Sequence, residues 1–561
     1  MLTYFKAFSP AKTEYNRISS TPNSLHTTTI LLWTVIGIGI FFRLFHYFDN
    51  RSLWIDELYL SSSLIRMNFF ELAGGQLDYQ QKAPLGFLWL AKLSVVLFGK
   101  KEMALRLIPL LSGIASLFVF LPVARFFLKP LGAAVAVSIL ALAPVLVYYS
   151  VEIKQYSTEM FATVLCLYLY TRYYNRQDLK SLILWGVWGA LILWFSFSAI
   201  FILAGIAVGL SLHYLLKKDW NKLFCSLIPF SLWLLSFGFS FYLFISSQPK
   251  AGWLVEWFRK RGGFLPHDAS LGDIISWLFQ SVYTFMEYPL GILWSAHQIK
   301  SIENPVLEFF LKLTPLVLLC WILGYAAYFR KDKRHFLMIL LFPFLLTLLA
   351  VMLEKYPFFN RLRVFLAPIP ILLIAHGCQQ LFSLLPTKLG RLRYVLPLVL
   401  LLWPIYRSTL QVIKPDLFGD GNKSDYREGF LYLQEHVQEG DLVYLYWNTA
   451  HIYDYYQTAY NLNFDVVQLP DLRSKSEGAT DYLNQLTPLL AEAEGNKRVW
   501  LVYDNYLDMQ IGEYENQYPW YKGVEDVKSG RLLHREFATK GKEIDSFHKI
   551  DIVISLFDLS R

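Results

Sequence analysis

The sequence predicts a polytopic α-helical membrane protein of about eleven crossings, followed by a soluble α/β domain. Three observations carry this. The 561 residues are 55% hydrophobic and only 17% charged, against about 45–50% apolar and 25% charged in soluble domains. Mean hydropathy is +0.35. Charge is also split along the chain: residues 411–561 hold 15 Lys+Arg and 25 Asp+Glu, and the preceding residues hold 37 and 19. This composition excludes disordered, collagen-like, coiled-coil and purely soluble proteins. The basic excess lies between apolar runs, where it signals topology rather than nucleic-acid binding.

Residues 1–27 read as a polar cytoplasmic tail, and 28–47 as a retained first helix with no small-residue cleavage site after it. Further apolar runs lie at about 104–128, 131–150, 157–174, 181–197, 199–216, 222–246, 306–329, 335–353, 362–385 and 393–410. The run 84–99 is short and contains Lys92, so it is expected at the interface rather than across the bilayer. With a cytoplasmic N-terminus, the inner connections are Arg125–Lys129, Arg172–Lys180, Lys217–Lys222, Arg330–Arg334 and Lys388–Arg393, all rich in cations. The outer segments are then 48–103, 151–156, 247–305 and 354–361. The expected domains are the tail 1–27, a membrane domain 28–410 and an extracytoplasmic α/β domain 411–561.

In that last domain, SDYREGFLYLQEHV has helical periodicity after a Ser424 cap. GDLVYLYW and KRVWLVYD read as strands, and Asp481–Glu494 as a helix. It contains no phosphate loop or nucleophile elbow, which suits a scaffolding or acceptor-handling role. Cys166, Cys225, Cys320 and Cys378 lie in apolar runs without metal-ligand spacing.

Charged groups beside a membrane are expensive unless they act. Asp56 and Glu57 follow the first helix, in Trp54-Ile55-Asp56-Glu57. Asp56 there suits a general base for an acceptor hydroxyl, and equally a helix N-cap with an acidic first turn. In Tyr148-Tyr149-Ser150-Val151-Glu152-Ile153-Lys154-Gln155-Tyr156, Glu152 and Tyr156 share a helical face. Glu152 could orient an acceptor and Lys154 neutralise a phosphate, or the two could form a helix-end salt bridge. Lys82, before Pro84, suits an anionic headgroup or a snorkelling position. Arg361 and Arg363 offer planar donor forks to a phosphate or to lipid headgroups. Both acidic motifs and both basic ones fall on one face of the membrane.

This arrangement resembles the GT-C-type membrane glycosyltransferases that use polyprenyl-phosphate sugars: protein O-mannosyltransferases, aminoarabinose transferases of lipid A, and the bacterial family 39-like enzymes. The matching residues are Trp54-Ile55-Asp56-Glu57, Gln81-Lys82-Ala83-Pro84-Leu85-Gly86-Phe87-Leu88, Phe98-Gly99 with Glu102, Ala104-Leu105-Arg106-Leu107-Ile108-Pro109, Tyr148-Tyr149-Ser150-Val151-Glu152 and Arg361-Leu362-Arg363. Lys154 stands where relatives often have Arg, and Ala83 where they often have Pro.

The resemblance implies an inverting transfer of a sugar from a polyprenyl-phosphate donor to an acceptor hydroxyl on the outer face. The acceptor would be a glycan, a lipid or a protein. It implies catalytic roles for Asp56, as base, Glu57 and Glu152, with Glu159 as fallback for the second acid. Substrate would be bound by Lys82, Arg106, Lys154, Tyr156, Arg361 and Arg363. No cofactor and no metal are expected, although paired acids can hold a divalent ion. A bacterial inner membrane is the expected location. A transporter or flippase of lipid-linked glycans is the alternative, which would place charges midway through helices. An inactive scaffold is another.

Overall fold

The computed structural model describes residues 22–74, 76–246, 252–266, 269–300, 302–329, 333–420, 422–507, 520 and 530–560. The expected polar tail lies outside them up to residue 21, as do parts of the outer segment 247–305 and of the connection Arg330–Arg334.

The chain is a multi-pass helical membrane protein with a C-terminal mixed sheet. Among the described residues, seven helices are long and apolar enough to cross: Thr29–Asp49, Glu102–Phe127, Ala199–Lys217, Trp220–Ile245, Pro305–Ala327, Arg334–Met352 and Lys388–Ile413. An eighth is the pair Asn360–Leu366 and Pro368–Leu384, bent by 64°. The expected count of eleven is therefore not confirmed. The apolar run 131–150 is divided into Pro130–Leu142 and Pro144–Tyr149, and the run 181–197 is helical only over Leu179–Ile192. Tyr156–Tyr173 is a helix, but polar residues lower its hydropathy below that of the seven.

The break at Ala143–Pro144 has a specific support. Pro144 has no N–H for the carbonyl one turn earlier, that of Leu140. Arg43 of the first helix replaces it. Its guanidinium donates to Leu140 O at 3.1 Å, Ala141 O at 2.9 Å, Gly39 O at 2.9 Å and Ser150 Oγ at 3.1 Å. The chain beyond the break is thereby aimed into the 150–156 loop. Arg43 stood alone in an apolar run, which is the sequence signal for such a role.

The run 84–99 forms the helix Leu85–Phe98. Phe87, Leu88, Ala91 and Val95 are buried in the core they share with Leu58 and Leu64, while Leu93, Val96, Leu97 and Phe98 are exposed. Lys92 Nζ donates to Leu64 O at 3.0 Å, at the C-terminal end of the loop helix Ile55–Arg66. Gly86 is pressed against Phe195: a Cβ there would lie 2.7 Å from its ring.

The C-terminal sheet is ordered β2-β1-β3-β5-β4. Its strands are β1 (Leu442–Leu445), β2 (Val467–Gln468), β3 (Val499–Asp504), β4 (Lys542–His548) and β5 (Ile552–Asp558). β1 runs parallel to β2 and β3, and β5 pairs antiparallel with β3 and β4. The expected helix after Ser424 is Tyr426–His436, with Asp425 rather than Ser424 at its cap position. Asp481–Glu494 is instead an α-helix, Ala479–Leu486, that tightens to a 3₁₀ turn, Thr487–Ala493.

One face of this sheet shares its core with the segment between the first helix and Glu102–Phe127. Phe430, Val443, Leu445, Trp500 and Ile554 belong to the same buried cluster as Leu53, Leu58 and Leu64. Hydrogen bonds fix the junction. Tyr456 OH pairs with Ser52 Oγ at 2.8 Å and accepts from Leu53 N at 3.1 Å. Arg427 donates to Asn50 O at 2.7 Å and pairs with Glu102 at 3.4 Å, and Tyr460 OH donates to Glu102 at 2.6 Å.

Candidate active site

The loop helix Ile55–Arg66 begins two residues before the expected acidic pair is complete. Trp54 is extended at the cap position, so Asp56 and Glu57 occupy the first turn, where carboxylates favour the positive end of the helix dipole. Asp56 is thus not the cap. Adjacent helical residues point about 100° apart, and the two carboxylates take different surroundings.

Glu57 turns inward and is fully buried. Its oxygens accept from Arg106 Nε at 2.9 Å, Arg106 Nη2 at 2.7 Å and Ile153 N at 2.9 Å, with Arg51 Nη2 at 3.6 Å. Burial alone would raise this carboxyl. The charges of Arg106 and Arg51 outweigh it and hold the group below the ordinary range. Arg106 also donates to Arg51 O at 2.6 Å and Ser52 O at 3.2 Å. The expected catalytic role of Glu57 and substrate-binding role of Arg106 thus meet a different geometry. The pair is closed on itself and ties three segments together: the end of the first helix, the loop helix and the 150–156 loop.

Asp56 turns the other way. It is ion-paired with Arg361 on one oxygen, and Lys154 Nζ lies 3.7 Å from the other. Burial would raise its carboxyl, but Arg361 and then Lys154 hold it below the usual value. Lys154 also donates to Gln81 Oε1 at 2.6 Å, which brings the Gln81-Lys82 motif to the site. Lys82 is exposed next to it, and its carbonyl accepts from Gln155 at 3.4 Å. Tyr156 lies with its ring centroid 6.0 Å from the Arg361 guanidinium carbon.

Glu152 is fully buried and accepts from Trp54 Nε1 at 3.0 Å through one oxygen. Its other oxygen has no hydrogen-bond partner among the described residues. Burial first, and then the neighbouring Glu57 charge, push its pKa up to about 7. Glu159 is buried one turn into the helix Tyr156–Tyr173.

Arg361 and Arg363 share the 3₁₀ turn Asn360–Leu366. Two residues apart on a three-fold turn, their side chains diverge. Arg363 donates to Thr284 Oγ1 at 3.0 Å and Tyr288 O at 2.9 Å, beside the rings of Phe285 and Phe358. It fastens the turn to the helix Leu271–Glu287, and only Arg361 faces Asp56.

Residues to which the sequence assigned no role of their own surround the site. Tyr79 and Gln80 adopt positive φ, 53° and 52°, and Trp253 Nε1 holds Gln80 Oε1 at 2.8 Å. The Tyr59 ring lies 4.7 Å from that of Tyr79 and 5.4 Å from His451 of the C-terminal domain. The Arg51 guanidinium covers Tyr148 at 4.6 Å and Phe418 at 5.3 Å. Arg51 lies just outside the motifs. Strained turns of this kind concentrate at functional sites.

Residues 82–243 match the family model of dolichyl-phosphate-mannose-protein mannosyltransferase. The class of enzyme that the motifs resemble is the one the match supports. The matched stretch contains Lys82, Arg106, Glu152, Lys154 and Tyr156, and leaves Asp56 and Arg361 outside. No curated protein matches the sequence. Among solved structures, apo ArnT from Cupriavidus metallidurans aligns over 95% of this chain and 98% of its own, at 12% identity and a TM-score of 0.50. The oligosaccharyltransferase AglB from Archaeoglobus fulgidus, in complex with an inhibitory peptide and a dolichol-phosphate, aligns over 86% of this chain and 70% of its own. Its identity is 12% and its TM-score 0.48. The likeness to ArnT shows a shared GT-C-type fold from end to end.

Proposed function

We propose that this chain is a glycosyltransferase that moves a sugar from a polyprenyl-phosphate donor to an acceptor hydroxyl on the outer face of the membrane, with inversion. One observation carries the reading. Asp56, Lys154 and Arg361 come from three distant outer segments and form one compact group of a carboxylate between two cations. The match over 82–243 to a mannosyltransferase family supports the donor class.

The donor's phosphate carries the negative charge that Arg361 and Lys154 suit, and Arg offers it two parallel hydrogen bonds. As phosphate takes the guanidinium, Asp56 is released from its ion pair and becomes a base. The acceptor oxygen attacks the anomeric carbon while the bond from that carbon to the phosphate oxygen breaks. The electron pair leaves with the phosphate, and the acceptor proton passes to Asp56. Attack and departure on opposite faces invert the carbon. Arg361 and Lys154 stabilise the charge that develops on the leaving phosphate. Lys82 supports the phosphate from the adjacent turn, and the reading needs no metal ion. Glu152, which accepts from Trp54 Nε1, orients the Trp54 edge of the site.

Proteoliposomes containing the purified chain test this. A panel of polyprenyl-phosphate sugars with an envelope lipid extract as acceptor should show donor consumption, and product NMR should give the opposite anomeric configuration. Retention of configuration would remove the single displacement. No consumption of any donor, with acceptor present, would remove the transferase reading.

A further inference from the structure

The edge of the C-terminal sheet gathers two histidines and a glutamate, the one such group of three or more metal-ligating side chains among the described residues. Local sequence would not place them together. Glu543 and His548 are five apart on β4, and side chains alternate along a strand, so an odd separation puts them on opposite faces. A register shift between Glu543 and Asp545 changes this. Glu543 pairs with Phe557, Asp545 with Leu556, Ser546 with Ser555, and His548 with Val553. The extra residue of the bulge returns Glu543 and His548 to the face of Phe557, Ser555 and Val553. Bulges commonly re-aim side chains in this way.

The helix Arg531–Lys540 packs over that face, with Leu533 and Phe537 in the core beneath. His534 then stands above Ser555, its ring 5.2 Å from that of Phe557. His534 Nε2 lies 3.6 Å from Glu543 Oε2, and His548 Nε2 lies 3.6 Å from Glu543 Oε1. Ser555 Oγ lies 3.2 Å from His534 Nε2 and 3.4 Å from His548 Nε2. All three ligand groups fall within 4.8 Å of one another.

We propose that His534, Glu543 and His548 bind a divalent transition-metal ion, zinc by preference, that clips the helix Arg531–Lys540 to the edge strand β4. Two imidazoles and one carboxylate form a borderline donor set that suits zinc rather than calcium or magnesium. Tetrahedral zinc with bonds of about 2.0–2.1 Å holds its ligands about 3.3 Å apart. The two 3.6 Å separations run to different oxygens of Glu543, and an ion would draw in ligand atoms that already lie within 4.8 Å of one another. Ser555 Oγ lies beside both imidazole nitrogens, within reach of a water that would fill the fourth position. The ion lies in the C-terminal domain, on the face of the sheet opposite to the one that packs on the segment after the first helix. It serves structure, by fixing an edge strand whose outer side is unpaired among the described residues.

The test uses the untagged full chain in detergent, stripped with a chelator and titrated with Zn²⁺ by calorimetry and by elemental analysis after dialysis. The expected result is one zinc per chain, and a rise in melting temperature that chelator reverses. His548→Ala, at a half-exposed position that leaves the core intact, should weaken binding at least about tenfold and abolish the thermal shift. Glu543→Gln should do the same, and His436→Ala, on the other side of the sheet, should change neither. Failure of the wild type to retain zinc, or equal retention by His548→Ala, would overturn the proposal and leave the cluster a hydrogen-bonded His–Glu pair.

Discussion

Two adjacent isosteric substitutions should fail in opposite ways. Asp56→Asn keeps the shape of the side chain and removes its charge and basicity. Its two oxygens each face one cation; Arg361 is partly exposed and Lys154 keeps its hydrogen bond to Gln81 Oε1, so the fold should hold. A positioned general base contributes about 10²–10⁴-fold, so transfer should fall by about 3–5 kcal/mol in activation free energy. Glu57→Gln removes the same charge one residue later, where the side chains of Glu57 and Arg106 are 0% and 2% exposed. Breaking a buried pair from one side costs about 3–5 kcal/mol, because the remaining charge stays buried. Glu57→Gln should therefore lower the melting temperature in detergent, and its activity should fall with the folded fraction. The assays are donor consumption in proteoliposomes and thermal unfolding in parallel. Activity within threefold of wild type for Asp56→Asn would refute the base assignment. Wild-type melting for Glu57→Gln would refute the division of the pair.

Three further outcomes follow from the same geometry. Arg361→Lys should raise KM for the donor about tenfold or more by losing the planar fork, whereas Arg363→Lys should lower stability by loosening the contacts to Thr284 and Tyr288; equal kinetic profiles would contradict the separation of the two. Glu152 holds a proton up to about pH 7 when folded but releases it near 4.5 when unfolded. The native state then binds more protons in that window, so the contribution of Glu152 to stability is complete below about pH 4.5 and is lost as pH rises through 7. The stability difference between wild type and Glu152→Gln, followed by denaturation from pH 4.5 to 8, should move against the wild type as pH rises; a constant difference would exclude this titration. Tyr456→Phe strips the hydroxyl from Ser52 and Leu53 N and should cost about 1–3 kcal/mol, with a lower kcat as the loop before Asp56 loosens; an unchanged kcat in the folded fraction would show that this junction does not position the base.

The membrane class was legible because bulk apolarity and basic connections act over many residues. The count of crossings was less so. A run such as 131–150 is apolar throughout, and only Pro144 marks the break that divides it. The acidic and basic motifs that meet at the site could be placed on one side of the membrane from charge asymmetry alone. Their division into working and supporting groups could not. Glu57 and Asp56 look alike in sequence, and the difference lies in Arg106, 49 positions later. Arg361 and Arg363 differ likewise only through the turn that separates them. β4 and β5 were missed because residues 542–548 alternate with a shift at the bulge, which blurs a period of two.

The charge inventory of the site gives a physical reason for its composition. Before the proposed transfer, the ionised Asp56 and a phosphodiester donor bring two negative charges, and Arg361 and Lys154 bring two positive ones. During transfer the leaving phosphate gains a negative charge at the moment Asp56 takes a proton and loses one. The transfer thus moves a negative charge from Asp56 to the phosphate without changing the net charge of the site, and it creates no new uncompensated charge, which would be costly. Burial and the neighbouring Glu57 charge raise Glu152 to about 7, so its neutral fraction falls as pH rises through neutrality. Ionisation of Glu152 at higher pH would add a negative charge that competes with the phosphate for Arg361. Glu57 and Arg106 contribute by being neutral as a pair. They fix the helix that carries Asp56 without adding net charge to the site, which is why that support can stand directly against the proposed reacting group.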